Sequence, residues 1–307
     1  MAARHGIDLL VANDEDTMLR ALPAMDALWV TPTYYSSAIP RAVALERGAL
    51  RWIGLTSAGY DVLAAQGVAP GVITTYAAGV HGPAVAEHAV ALLLAAVRRL
   101  PAAFDRQRDA RWDRAIVARL RSVEDMTVTI VGLGAIGRDI ARRLRPFGAR
   151  LIGVSRRGRA DAVVDAVFRA ERLHEALAQS DAVIVAVAMS EETRHLIDAA
   201  AFAAMRPGTV FVNVARGAVV DRAALLSAIA AAAVDGVALD VTDPEPLPPG
   251  DPLWNAPDTL ITPHLGSFGS RAAGARLAEH LRQNLTRLAA GEPLAGVVDP
   301  PYPTPEV

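Results

Sequence analysis

Short runs of β-branched and other apolar residues alternate along the chain with stretches whose apolar positions recur every three or four residues. The alternation predicts βαβ units built around parallel sheets, an α/β fold class. The opening part predicts strands over 7–11, 27–30, 51–56 and 72–74 and helices over 14–22 and 37–48, which make a small α/β domain. A long helix is expected over 83–100, with Pro83 suited to its first turn and Pro101 closing it. It reads as the bridge into a second domain with strands over 127–131, 150–155, 182–187, 209–214, 236–240 and 259–261. The helix after the first of these is expected over 138–147, ended by Gly148. Six such strands make a doubly wound sheet. A last helix over 270–290 is expected to return to the first domain, which is then discontinuous (1–83 and 270–307) around a second domain of 84–269. The cleft between the two is the natural ligand site, and the proline-rich stretch 300–305 reads as a tail.

Composition narrows the field more by exclusion than by suggestion. A chain of 307 residues has room for two domains, and with 52% hydrophobic residues, 21% charged residues and a net charge of −2 it is neither disordered nor a polyanion binder. A nucleic-acid role has no electrostatic support. The absence of cysteine removes disulfides, thiolate nucleophiles and Cys-ligated metals, and no metal site is expected. There is no lysine either, so every basic charge is arginine and Schiff-base chemistry is excluded. The amino end shows no signal-peptide core, and the apolar stretch 89–97, flanked by Glu87, His88, Arg98 and Arg99, falls short of the ~20 residues a membrane span needs. A cytoplasmic protein without a membrane partner is expected.

The candidate chemistry begins at Gly132-Leu133-Gly134-Ala135-Ile136-Gly137, a glycine-rich turn between a β-branched run and a helix. In such a turn the first glycine permits the tight bend, the second lets a pyrophosphate approach the backbone, and the third lets helix and strand pack closely. About 20 residues on, where an acidic residue would take the ribose hydroxyls of NAD, this chain has Ser155-Arg156-Arg157. A hydroxyl and two guanidiniums suit a 2′-phosphate, so NADP(H) is favoured. NAD(H) stays open if the arginines are ordinary solvated charges.

Three ionisable residues follow predicted strand ends. Arg216, in Asn213-Val214-Ala215-Arg216-Gly217, offers a fork for a carboxylate and the carbonyl beside it. His264, in Ile261-Thr262-Pro263-His264-Leu265-Gly266, can give a proton to a carbonyl undergoing reduction. Glu245, in Asp240-Val241-Thr242-Asp243-Pro244-Glu245-Pro246, could hydrogen-bond that imidazole and fix its tautomer. His5, His88, His174, His195 and His280 read as structural.

These motifs, with His81-Gly82-Pro83-Ala84-Val85-Ala86-Glu87-His88 and Asp251-Pro252-Leu253-Trp254, resemble the D-isomer-specific 2-hydroxyacid dehydrogenase family over most of the chain. The resemblance implies a Rossmann doubly wound parallel sheet plus a smaller flavodoxin-like substrate domain. It also implies a further strand and helix ahead of 7–11, so the substrate domain is expected to lack its first strand. By the same resemblance Arg216 binds substrate, His264 is the acid/base and Glu245 orients it. Backbone amides around Ser57, Ala58 and Gly59 hold the substrate carboxylate, and Asp240 approaches the nicotinamide carboxamide. Thr193, Ala215, His264 and Gly266 complete the expected cofactor contacts. A homodimer through the nucleotide domain, involving the helix over 83–100, is implied as well.

The chain departs from the family at Ala188-Met189-Ser190, which lacks a common proline, and at Tyr76, which stands for a more usual asparagine. Ala58 stands where phosphite dehydrogenases carry lysine, and Glu245 where formate dehydrogenases carry glutamine, so both specialisations are disfavoured. The resulting expectation is an NAD(P)H-dependent reductase of small 2-oxoacids such as glyoxylate or hydroxypyruvate, yielding D-2-hydroxyacids. The rivals are a dinucleotide-sensing corepressor and a D-3-phosphoglycerate dehydrogenase. The complete trio argues against the first. Against the second stand the lack of a regulatory domain after Val307 and of an identifiable basic site for the substrate phosphate.

Overall fold

The computed structural model describes residues 7–45, 48–69 and 71–298. Along the chain, α1 (Glu15–Ala21), β1 (Ala27–Val30), α2 (Ala38–Leu45), β2 (Trp52–Leu55), α3 (Val62–Gln66) and β3 (Ile73–Thr75) come first. They are followed by α4 (Gly82–Val97), α5 (Leu100–Arg108), β4 (Thr127–Val131), α6 (Ala135–Leu144), β5 (Arg150–Ser155), β6 (Ala166–Arg169), α7 (Leu173–Leu177) and β7 (Ala182–Val185). The last part holds α8 (Ala199–Ala204), β8 (Thr209–Asn213), α9 (Arg222–Ala230), β9 (Val234–Leu239), β10 (Thr259–Ile261) and α10 (Arg271–Ala290). The chain divides into two compact units, Met1–Val80 with Ala272–Val307, and His81–Arg271.

In the first unit β1, β2 and β3 form a parallel sheet in that order. Leu28, Val30, Ile53 and Leu55 lie on one face and pack with Met18, Ile39 and Leu63 from the helices. The returning chain is pinned to β3 by backbone bonds from Tyr76 to Gly296 (2.9 Å) and from Val298 to Thr74 (2.9 Å). Residues 7–11, expected as a strand, form none. Leu9, Leu10 and Val11 are exposed, because an apolar run without a neighbouring strand has no partner for its backbone groups. Residues 300–305 and His5 lie outside the described residues.

The second unit is a seven-stranded parallel sheet in the order β10-β9-β8-β7-β4-β5-β6. The order reverses direction between β4 and β7, the switch point at which such sheets bind ligands. Alternate residues feed two cores. Val128, Ile130, Leu151, Ile184, Val210 and Val212 pack with α4 and α6 on one face. Val131, Ile152, Val183, Val185, Phe211 and Leu239 pack with α7, α8 and α9 on the other. Burial on both faces is why these strands read as continuous apolar runs. The seventh strand, β6, was not expected; it lies at the sheet edge, only half-buried, and its short run carries little pattern.

Two predicted helices are corrected. That expected over 138–147 begins at Ala135, inside the glycine motif, and passes into a short turn, Arg145–Phe147, closed by Gly148 in the left-handed region (φ +83°). That expected over 83–100 ends at Val97, and Pro101 sits in the first turn of α5 rather than closing α4. The break falls at Arg99 (φ +52°), whose side chain is 3% exposed and pairs with Asp235 and Asp258. Carboxylates more than a hundred residues away thus set the bend.

Candidate active site

At the switch point the glycine motif forms a cradle. Gly132 follows β4 with φ +106°, and a Cβ on it would stand 2.7 Å from the Ala186 carbonyl oxygen. A Cβ on Gly137 would overlap the Gly132 carbonyl oxygen at 1.9 Å, so α6 can sit on the turn only with glycine there. Gly134, the helix N-cap, has open space around its Cβ position and provides no side-chain cap. The first amides of α6, those of Ala135, Ile136 and Gly137, therefore lack intrahelical acceptors, and donors of this kind at a helix amino end suit a pyrophosphate.

Ser155 ends β5 and begins a turn in which the Gly158 amide donates to the Ser155 carbonyl and hydroxyl oxygens, both at 3.2 Å. Arg156 and Arg157 are exposed on that turn and make no ion pair among the described residues. Thr193 is engaged locally: its hydroxyl donates to the Ala188 carbonyl (2.8 Å) and accepts from the Ser190 amide (2.8 Å), closing the 188–193 loop.

The trio follows the carboxyl ends of three adjacent strands. Arg216 lies just beyond β8, in a loop shaped by buried Asn213, which donates to the Arg216 carbonyl (3.0 Å) and accepts from the Ala215 amide (3.0 Å). The Arg216 guanidinium itself donates to the Ala215 carbonyl (2.8 Å). A Cβ on the next residue, Gly217, would lie 2.0 Å from the Thr242 carbonyl, so the absence of a side chain lets the loop after β9 close on the loop after β8. That second loop carries Glu245. Its Oε1 lies 2.5 Å from Nδ1 of His264, which stands beyond β10 with φ +53°. With Nδ1–H donating to the carboxylate, Nε2 is the ring nitrogen left to exchange a proton with a ligand. Both side chains are partly exposed, as proton exchange with a ligand requires.

Asp240, directly after β9 and 3% exposed, ties this end of the sheet together. Its Oδ1 accepts from the Thr262 hydroxyl (2.6 Å) and the Leu265 amide (2.8 Å), its Oδ2 from the Gly266 amide (2.9 Å), and its carbonyl from the His264 amide (2.8 Å). His88 of α4, read from sequence as merely structural, brings Nε2 to 3.0 Å from both Asp240 Oδ1 and Thr262 Oγ1. Nothing in its local sequence signals this contact, which joins residues 152 apart. In the first unit, Ser57, Ala58 and Gly59 form the loop after β2. The Ser57 hydroxyl donates to the Gly59 carbonyl (2.5 Å), and the Ala77 amide donates to the Ser57 carbonyl (2.9 Å). Among the described residues no cluster of His, Asp and Glu is arranged to hold a metal ion, and no helix is long and apolar enough to cross a membrane.

Residues 90–266 match the family model for the NAD-binding domain of D-isomer specific 2-hydroxyacid dehydrogenases. The chain belongs to that family. As a family member it carries an NAD-binding domain, and the glycine motif 132–137 lies within the matched residues. Human glyoxylate reductase/hydroxypyruvate reductase is 35% identical over 83% of this chain and 76% of that enzyme. D-3-phosphoglycerate dehydrogenase of Mycobacterium tuberculosis is also 35% identical, over 88% of this chain, which spans 51% of that longer protein. Among solved structures, the NADPH-dependent glyoxylate/hydroxypyruvate reductase of Sinorhizobium meliloti, in complex with NADP and sulfate, superposes with a TM-score of 0.83. The identity there is 26%, covering 96% of this chain and 91% of the other.

Proposed function

We propose that this 2-hydroxyacid dehydrogenase reduces small 2-oxoacids of the glyoxylate or hydroxypyruvate type to D-2-hydroxyacids, with NADPH preferred over NADH. The observation that carries the reading is the Glu245–His264 pair, 2.5 Å apart, after β9 and β10, the two strands that follow β8 with its Arg216 toward the sheet edge. When bound, the reduced nicotinamide supplies a hydride to the carbonyl carbon. His264 gives its Nε2 proton to the carbonyl oxygen as that charge develops, while Glu245 holds the Nδ1–H and stabilises the ring's orientation. Arg216 holds the substrate carboxylate and polarises the carbonyl beside it, and the backbone amides around Ser57, Ala58 and Gly59 are further donors for that carboxylate. The α6 amino end takes the pyrophosphate, Ser155, Arg156 and Arg157 take the 2′-phosphate, and Asp240 accepts from the nicotinamide carboxamide. The names of the human and Sinorhizobium relatives support the substrate class. The protein works in the cytoplasm as a homodimer, for which the exposed apolar side chains of Leu100, Phe104, Trp112 and Val117 offer a surface.

The test is oxidation of NADPH and of NADH, followed by absorbance, with glyoxylate, hydroxypyruvate, pyruvate and 3-phosphohydroxypyruvate. Turnover of the unphosphorylated acids is expected. Replacing His264 by Gln should lower kcat by ~10²–10⁴, and Arg216→Ala should lower kcat/KM by ~10²–10³ with cofactor affinity nearly unchanged. A wild-type rate in either variant would remove the assignment, and preference for the phosphorylated acid would move the substrate to the phosphoglycerate type.

A further inference from the structure

The lone pairs of Asp240 are divided unequally. Three donors converge on Oδ1: the Thr262 hydroxyl at 2.6 Å, the Leu265 amide at 2.8 Å and Nε2 of His88 at 3.0 Å. Among the described residues, only the Gly266 amide, at 2.9 Å, reaches Oδ2. A carboxylate has about four acceptor positions, two on each oxygen. Oδ1 is therefore saturated and Oδ2 keeps room for one more donor. The proton on His88 is fixed by the same geometry. Thr262 has a single hydroxyl proton and spends it on Asp240, so both oxygens near His88 Nε2 present lone pairs to it, and Nε2 carries the hydrogen.

We infer that His88 is a positioning residue for the cofactor. By donating to Oδ1 from α4 it fixes the rotation of the Asp240 carboxylate and leaves Oδ2 as the acceptor for the amino group of the nicotinamide carboxamide. The inference rests on the reading of Asp240 given under the proposed function and goes beyond it in naming the oxygen and the residue that selects it. The geometry explains why α4, apolar apart from exposed Glu87 and packed against the sheet, places His88 toward the Asp240 carboxylate. Without His88, Oδ1 keeps the Thr262 hydroxyl and the Leu265 amide but loses the donor anchored in α4, and the carboxylate is held less firmly in the rotation that presents Oδ2.

The experiment is calorimetric binding to the full-length protein of NADP⁺ and of its 3-acetylpyridine analogue, in which a methyl ketone replaces the carboxamide and the amino donor is gone. The intact protein should prefer NADP⁺. His88→Leu should weaken NADP⁺ about tenfold while leaving the analogue within about twofold, as expected for a hydrogen bond to a charged group. His88→Gln, whose amide reaches as far as Nε2, should restore most of the preference. His88→Asn, whose amide falls short, should behave like the leucine variant and serves in its place if that one does not fold. Equal losses for both dinucleotides, or no recovery with Gln, would make His88 a packing residue and overturn the inference. Asp240→Ala separates the two levels. If it erases the preference and His88→Leu does not, His88 alone is misassigned; if it too leaves the preference intact, the contact of Asp240 with the carboxamide is wrong.

Discussion

At the scale of single residues, the proposed preference for NADPH rests on charge and position. Arg156 and Arg157 are exposed cations without ion-pair partners among the described residues, in a chain where most other arginines on this unit are already paired with aspartate. Replacing both by serine should raise KM for NADPH by ~10–100-fold, about one charge-assisted hydrogen bond each, and change KM for NADH by no more than about twofold. An unchanged ratio of the two would show that the arginines bind nothing. Much of the trio was legible because each member follows a β-branched run, and strand ends are where open sheets present their chemistry. The pairing of Glu245 with His264 was legible as a possibility, since two loops after adjacent strands can meet. His88 was not, because its partners, Asp240 and Thr262, stand 152 and 174 residues away.

At the scale of elements, two strand entrances use the same device. The Asp165 amide donates to the Leu151 carbonyl (2.8 Å) while its carboxylate accepts from the Leu151 amide (2.7 Å), and Asp181 does the same with Thr127 at 2.8 Å in both directions. The Leu151 amide beside Asp165 and the Arg145 guanidinium hold that carboxyl below its ordinary value of 3.8. A carboxyl lowered in the folded state adds stability that is present above about 3.8 and lost as pH falls through the lowered value. Asp165→Ala, which orphans the amide of fully buried Leu151, should cost ~1–2 kcal/mol at neutral pH. The urea midpoints of variant and parent should converge on acidification, and a gap that is constant with pH would refute the clasp. Pattern alone placed β4, β5 and β10 correctly because glycine, charge or a following turn bounds each run. It failed for β6, half-buried at an edge, and for 7–11, whose apolar side chains face solvent. The split of the helix expected over 83–100 was invisible for another reason, since Arg99 is drawn in by Asp235 and Asp258 rather than by its neighbours.

At the scale of the whole molecule, the proposed dimer rests on the segment after α4, where large apolar side chains are exposed. Trp112 is 97% exposed, with Phe104 at 59% and Val117 at 50%. Exposed side chains of this kind gathered on one short segment are the type of surface a second copy would cover under the proposed dimer. Light scattering coupled to size exclusion should give twice the chain mass for the parent protein, and Trp112→Ser with Phe104→Ser should shift the equilibrium toward monomer, with the glycine cradle intact and dinucleotide still bound. A parent protein that elutes as a monomer would remove the dimer from the proposal.

Gly217 carries a consequence for how this site can change over generations. The loops that present Arg216 and Glu245 touch at an atom-to-atom distance which only hydrogen at position 217 permits. Neither loop can be lengthened, bent or enlarged at that point by a single replacement without displacing the other. Variation in substrate preference is therefore expected to arise through paired changes in the two segments or elsewhere in the protein, and the position with the smallest side chain is the one at which drift is least free.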